Sequence, residues 1–342
     1  MHLHLGGAIL PNVLHAFMQR SAHPLLRRYP TLERLERHLS RPRRSLDEYL
    51  RLHELVESLQ RPAERALAYH VSRLVRGAYL FDNLAYMELR HCPLLRTDPA
   101  LPMSARIDSM PRVVELIARA AAEQSGRFPL VFAQVLCMHS ALPDEANAAI
   151  LELAAAARPA VCAVDLAGPT GPYRARARAF ERLFVRARSL GLPTTCHLYE
   201  TPEGALPRLL PLLDRIGHGV QIPLRHPRLL SSVAKRGQCL EVCPTTYLRT
   251  GAMRDYAELR PLLRRCFDAG VDVAICTDNA GLHNVRLPHE YENLLVRDVI
   301  TIEELACCMT AAFRHAFAWG APPPPALGRL TAAAAHHHLS GR

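Results

Sequence analysis

Thr194-Thr195-Cys196-His197-Leu198-Tyr199-Glu200 is a short β-rich run that ends in a histidine, with a carboxylate three residues later. The turn Gly191-Leu192-Pro193 precedes it, and the loop Thr201-Pro202-Glu203-Gly204 follows. A histidine at such a strand end can hold a metal, and a glutamate already in the loop can reach a substrate bound beside that metal. A lone histidine on a strand is more often a satisfied core residue. The balance changes because four other short strand-like runs in this chain also end in His or Asp beside Gly or Asn.

The first of them opens the chain: Met1-His2-Leu3-His4-Leu5-Gly6-Gly7. Residues two apart on a strand share a face, so His2 and His4 converge on one point. Gly6-Gly7 is expected to let the backbone turn tightly beside a ligand. Only Met1 precedes His2, so this strand has little upstream length to pair; a late start site and a removed leading segment are both open readings. Residues 8–80 read as mostly helical, with a serine cap and acidic first turn at Ser45-Leu46-Asp47-Glu48 and a second helix over Pro62 to Tyr79. Such an insertion suits a lid over a barrel mouth. His53-Glu54-Leu55-Val56-Glu57 lacks the second histidine of HExxH, so a zincin site is excluded there.

Strand and helix signals then alternate. Strands are expected over 83–90, 128–137, 160–166, 193–197, 215–219, 239–244 and 271–279. Helices are expected over 104–124, 144–157, 174–189, 205–213, 227–236, 256–269 and from Pro288 onward. With the first strand this makes eight β/α units, which argues for an α/β fold of the (β/α)8 barrel kind. Active sites of that fold sit at the C-terminal strand ends. Here those ends carry His2 and His4, Gly168, His197 with Glu200, His218, and Asp278 with Asn279. We expect one domain over 1–320, with 8–80 as a helical insertion after the first strand, and a tail over 321–342.

Composition narrows the function classes. The 342 residues are 49% hydrophobic, enough for a large core, without any run of eighteen apolar residues, so no membrane span is expected. No h-region marks a secretory signal. Ten cysteines without CxxC spacing read as reduced thiols of a cytoplasmic protein. The formal charge is +10, yet the arginines are spread along helices such as Tyr173 to Ser189 and no nucleic-acid-binding motif accompanies them, so no nucleic-acid partner is expected.

Taken in order, HLHLGGA, VDLAG, the run Thr195 to Glu200, RIGHG, LEVCPTT and TDN resemble the adenosine deaminase family of amidohydrolase barrels, over nearly the whole chain. The HxE and PCxxC pattern of the unrelated cytidine-deaminase fold is absent. The resemblance implies one Zn²⁺ per chain, held by His2, His4, His197 and Asp278, with a water in the open position. Zinc lowers the pKa of a bound water to roughly 7. Lys235 is the only lysine and falls in a predicted helix, so a pair of metals bridged by a carboxylated strand-end lysine is excluded.

The resemblance further implies that Glu200 protonates purine N1 and that His218 orients the attacking water. Asp278 would take a hydrogen bond from the nucleophile, and Gly168 would offer its N–H to N3. The chain departs from the family at two positions. Asn279 stands where a second aspartate is usual; its amide can donate to N7. Gly6 stands where an aspartate usually holds the ribose 5′-hydroxyl, which is expected to leave space and one less negative charge. The implied ligand is a small adenine nucleoside, 5′-modified or phosphorylated included; a different amino-substituted ring and a non-catalytic relative are the alternatives.

Overall fold

The computed structural model describes residues 1–60 and 64–322. Among the described residues, seven strands, all parallel to their neighbours, lie in two sheets: β1 (Tyr86–His91), β2 (Val131–His139) and β3 (Val161–Ala167), then β4 (His197–Leu198), β5 (Arg215–His218), β6 (Cys239–Val242) and β7 (Asp272–Ile275). Two seams join the sheets into a ring. At one, Val164 bridges Thr194, with Thr195 N–H donating to Val164 O at 2.9 Å. At the other the N-terminal segment takes the eighth position: Leu3 bridges Asp278 and His4 bridges Arg90. Closure removes both sheet edges, and a wholly parallel ring wrapped by helices is the (β/α)8 barrel.

Most expected elements are present with shifted ends. The expected strand over 193–197 is reduced to the Thr194 bridge and the two-residue β4. Pro193 has no N–H to pair, and Tyr199 turns into the left-handed region at φ 56. The expected helix over 205–213 is absent; 3₁₀ turns stand at Pro202–Gly204 and Leu210–Leu212. Pro207 and Pro211 remove the amide donors that a continuous helix needs. Pro62, the expected first residue of the second insertion helix, lies outside the described residues, as does the chain beyond 322; the helix is described from Glu64 to Leu80.

The barrel is lined differently from a purely aliphatic one. Glu88 and Arg90 on β1, Asp165 on β3, Arg215 on β5 and Glu241 on β6 are all fully buried. Arg90 donates to Asp165 at 3.0 Å and to Glu241 at 2.6 Å. Arg215 pairs with Glu88 and lies 2.7 Å from Glu241. Buried charges persist only when paired and hydrogen-bonded, and here each has a partner of opposite sign. The Arg215 guanidinium also sits 3.5 Å over the Phe317 ring, so the segment after the last described helix, Ile302–Arg314, lies against this charged layer.

The insertion carries an apolar cluster of its own, with Leu14, Met18, Leu35, Leu39, Tyr49, Leu52 and Val56 buried together. It is tied to the barrel where Arg43 N–H donates to Arg249 O at 2.8 Å. Its helix Leu46–Ser58 presents Tyr49, His53 and Glu57, spaced four apart, toward the C-terminal strand ends. No described helix is long and apolar enough to cross a membrane. The ten cysteines are free thiols, nine of them buried.

Candidate active site

The three imidazoles His2, His4 and His197 point their Nε2 atoms at one spot. Nε2 of His2 lies 3.2 Å from that of His4 and 3.1 Å from that of His197, and the last two are 2.9 Å apart. Asp278 Oδ1 stands 3.6 Å from His2 Nε2 and 3.4 Å from His4 Nε2. These ligand atoms all fall within 4.8 Å of one another. The N-terminal rung, β4 and the residues after β7 thus deliver four donors to one point. The outer nitrogens fix the tautomers: His2 Nδ1 donates to Glu241 Oε2 at 3.0 Å, and His197 Nδ1 to Asp165 at 3.2 Å. The Nε2 lone pairs of these two rings are therefore turned inward.

The donor set fits a borderline-soft divalent cation. Burial, reinforced by Arg90 for His2 and by His197 for His4, drives both imidazoles well below the ordinary histidine range, so they stand neutral as ligands must. Burial also pulls on His197, but the Asp165 carboxylate outweighs it and raises that imidazole. The proton so favoured is the one on Nδ1, which a metal at Nε2 leaves in place. The buried charge layer beneath holds three carboxylates (Glu88, Asp165, Glu241) against two guanidiniums (Arg90, Arg215). Asp278 adds another carboxylate, and this surplus of negative charge favours a cation among the histidines.

Around the cluster opens a cavity of 560 Å³ lined on one side by Gly168, Glu200, His218, Asp278 and Asn279 and on the other by Tyr49, His53, Glu54 and Glu57 of the insertion helix. Glu200 is 7% exposed; burial, with Asp278 nearby, pushes its carboxyl up to about 8. Its Oε2 is 3.6 Å from His218 Nε2. Burial and the neighbouring His197 keep His218 well below the usual histidine range, and its Nδ1 meets Tyr247 Oη at 3.4 Å. That hydroxyl already accepts the Cys243 N–H at 3.0 Å, which leaves its own proton for His218 Nδ1 and puts a hydrogen on Nε2, toward Glu200. Asp278 also accepts from Thr246 Oγ1 at 3.0 Å.

Local backbone supports the placement. Tyr199, His218 and Asp278 all hold positive φ (56°, 65° and 58°), so three of the strand ends turn sharply where their side chains are needed. Gly168 at φ 102° has the His139 ring packed where a Cβ would be. Gly6 and Gly7 serve a different purpose from the expected one. A Cβ on Gly7 would overlap the Asn279 amide, and a Cβ on Gly6 would overlap the Glu57 carboxyl. The space expected at Gly6 is therefore filled, by a carboxylate from the insertion. Gly6 itself does not line the cavity; Glu57 does.

The residues that sequence inspection passed over are of two kinds. Tyr49, His53 and Glu57 reach the site from a helix whose spacing was legible but whose docking was not. Asp165 and Glu241 lay inside VDLAG and LEVCP, motifs already marked, and the signal available was an unexplained carboxylate in an otherwise apolar strand.

Known proteins bear on this geometry. The family model for adenosine deaminase matches residues 1–320. An adenosine deaminase of Clostridium acetobutylicum is 27% identical over 321 residues, covering 93% of this chain and 92% of that protein. Among solved structures, the adenine deaminase of Arthrobacter aurescens superposes with a TM-score of 0.81 at 20% identity over 97% of both chains. The Arabidopsis ADAL crystallised with IMP gives 0.75 at 20% identity over 96% of this chain and 93% of that one. The two structures bear on the fold alone, while the family match spans nearly the whole sequence. This chain belongs to the adenosine deaminase family and is a hydrolase that deaminates adenine compounds.

Proposed function

We propose that this protein is a zinc-dependent deaminase of adenosine or a 5′-substituted relative, releasing ammonia and a 6-oxopurine. The observation that carries this reading is that one 560 Å³ cavity is lined by His4, His197 and Asp278 of the four-residue cluster together with a buried glutamate whose carboxyl is pushed up to about 8. A protonated carboxyl at neutral pH is what a ring nitrogen needs from a general acid. One structural neighbour is an adenine deaminase of Arthrobacter and another, from Arabidopsis, was crystallised with IMP; both compounds are purines, and they differ at C6 and in what N9 carries.

His2, His4, His197 and Asp278 would hold one Zn²⁺, whose N₃O ligand set suits that ion. When bound, zinc supplies Lewis acidity that makes a water nucleophilic near neutral pH. The protein's own groups do the rest. Glu200 gives its proton to N1 as water adds at C6, which draws the ring's electrons toward N1. His218, neutral and bearing a hydrogen on Nε2, holds the incoming oxygen. Asp278 accepts the proton that the water sheds, which then passes to the amino group leaving as ammonia, and the C6 hydroxyl returns its proton to the Glu200 carboxylate as the 6-oxo group forms. Gly168 donates its N–H to N3 and the Asn279 amide donates to N7, fixing the ring's orientation. Residues 1–320 form the catalytic unit and 8–80 its lid.

Zinc-loaded protein incubated with adenosine, adenine and AMP should release ammonia from at least one, with the matching absorbance change. Turnover that persists at full rate after chelation, or no ammonia from any adenine compound, would overturn the reading.

A further inference from the structure

Gly6 and Glu57 exclude one another. Gly6 sits two residues beyond His4, and a Cβ there would run into the Glu57 carboxyl, with Glu57 Cγ only 3.0 Å away. Any side chain at position 6 would have to expel Glu57. Conversely, the carboxylate that this position lacks is delivered to the same place from the helix Leu46–Ser58, 51 residues on in the chain.

Glu57 is held there by a dedicated set of bonds. Arg96 Nη2 donates to its carboxylate at 2.8 Å and Arg96 Nη1 to Gln60 Oε1 at 3.1 Å. Gln60 Nε2 donates to Gly6 O and to Val56 O, each at 3.1 Å. Glu57, Gln60 and Arg96 are 8%, 5% and 6% exposed. The amide of Gln60 thus ties the insertion to the backbone of Gly6 itself. Glu57 lines the cavity together with His4, Glu200 and Asn279, whereas Arg96 and Gln60 are not among its lining residues.

We propose that Glu57 is the specificity-determining residue for the far end of the ligand, taking a hydrogen bond from an uncharged donor, the 5′-hydroxyl of an adenine nucleoside, and disfavouring a 5′-phosphate. This rests on the cavity being the deaminase site proposed above. A carboxylate offers acceptors only, so it rewards a hydroxyl and repels an anion. Arg96, the guanidinium paired with Glu57, is not among the cavity-lining residues and could not turn to a phosphate without giving up Glu57, whereas Arg51, on the same helix as Glu57, does line the cavity and is the cation that the AMP arm of the test weighs against Glu57. The loss of negative charge expected from Gly6 is reversed by this arrangement, which argues against the phosphorylated ligands that the resemblance had included.

The test compares kcat/KM for adenosine, 5′-deoxyadenosine, AMP and adenine across wild type, Glu57→Gln, Gly6→Asp and the double variant Gly6→Asp/Glu57→Gly. A hydrogen bond to a charged group sets the expected preference for adenosine over 5′-deoxyadenosine at about ten- to a hundredfold. Glu57→Gln should lower that ratio, because an amide oxygen accepts more weakly than a carboxylate, and reduce discrimination against AMP. Gly6→Asp alone should lower both Tm and turnover, because two carboxyl groups claim one space; the double variant should recover both and restore the adenosine preference. Wild type preferring AMP, a ratio unmoved in Glu57→Gln, or a double variant worse than either single one would overturn the proposal. Calorimetric binding of inosine and 5′-deoxyinosine to the same proteins is independent of turnover. Ammonia from no substrate would end the deaminase reading, while a Glu57-dependent preference for inosine would still stand and its absence would end this one.

Discussion

His2 joins the candidate metal point to the charged interior of the barrel: its Nδ1 donates to Glu241 Oε2 at 3.0 Å while its Nε2 stands 3.1 Å from that of His197. Burial alone would raise Glu241, but Arg90 and then Arg215 outweigh it and hold the carboxyl at about 2. Glu241→Gln therefore removes an anion that two buried guanidiniums and one imidazole share. Partners of this type are worth about 10- to 100-fold in metal affinity, and breaking a buried pair costs about 3–5 kcal/mol. We expect weaker zinc retention in a chelator competition together with a lower Tm. Unchanged values of both would show that Asp165 and the remaining ligands orient the cluster without Glu241.

Metal content should be one divalent ion per chain. His197→Ala removes one of the three imidazoles of the cluster, so elemental analysis should find that variant largely empty and inactive. Two ions per chain in wild type would contradict the mononuclear site. The only lysine, Lys235, is exposed at the end of helix Leu230–Lys235 and cannot bridge a second ion.

Glu200→Gln keeps the shape of the side chain and removes its acidic proton. Turnover should fall by about 10²–10⁴ with zinc content and fold intact. A variant with near wild-type kcat would assign the proton to another group.

The raised carboxyl of Glu200 gives a pH dependence of definite sign. Its folded value of about 8 lies above the ordinary 4.5, so the folded state holds a proton that the unfolded chain has released between those two values. The associated stability is fully present below about 4.5 and is lost as pH rises to about 8. In activity, kcat/KM should decline on the alkaline side as the acid form disappears. A dication in the histidine cluster favours the ionised carboxylate and moves this inflection below about 8. Thermal melts of metal-free protein from about pH 4 to about pH 9, in wild type and Glu200→Gln, check the assignment: the two curves should converge below about 4.5, separate as pH rises to about 8 and run parallel above it.

Gly168→Ala should be damaging beyond its size. The residue holds φ 102° and the His139 ring occupies the Cβ position, so an alanine is both strained and crowded. Strain of this kind costs about 1–3 kcal/mol, visible as a lower Tm, and the displaced N–H should raise KM for adenine compounds. A variant with wild-type KM would remove Gly168 from the ligand-binding groups.

The sequence by itself determined the barrel and most of its rim. Eight alternating strand and helix signals impose a parallel ring, and a histidine or aspartate at a strand end in such a ring has only one face on which to appear. His2, His4, His197, Glu200, His218 and Asp278 were legible for that reason, each marked by a local pattern that survives without knowledge of its neighbours. The tertiary structure alone decided what those residues rest on. Asp165, Glu241, Arg90 and Arg215 come from four strands, and their pairing depends on barrel closure, which no local pattern encodes. Helix 205–213 failed because Pro207 and Pro211 outweighed its apolar spacing. Position 6 shows the difference most sharply. A missing side chain reads in the sequence as a vacancy, yet Glu57 fills it from a helix docked over the barrel mouth, because space in a folded protein belongs to whichever residue packing brings there.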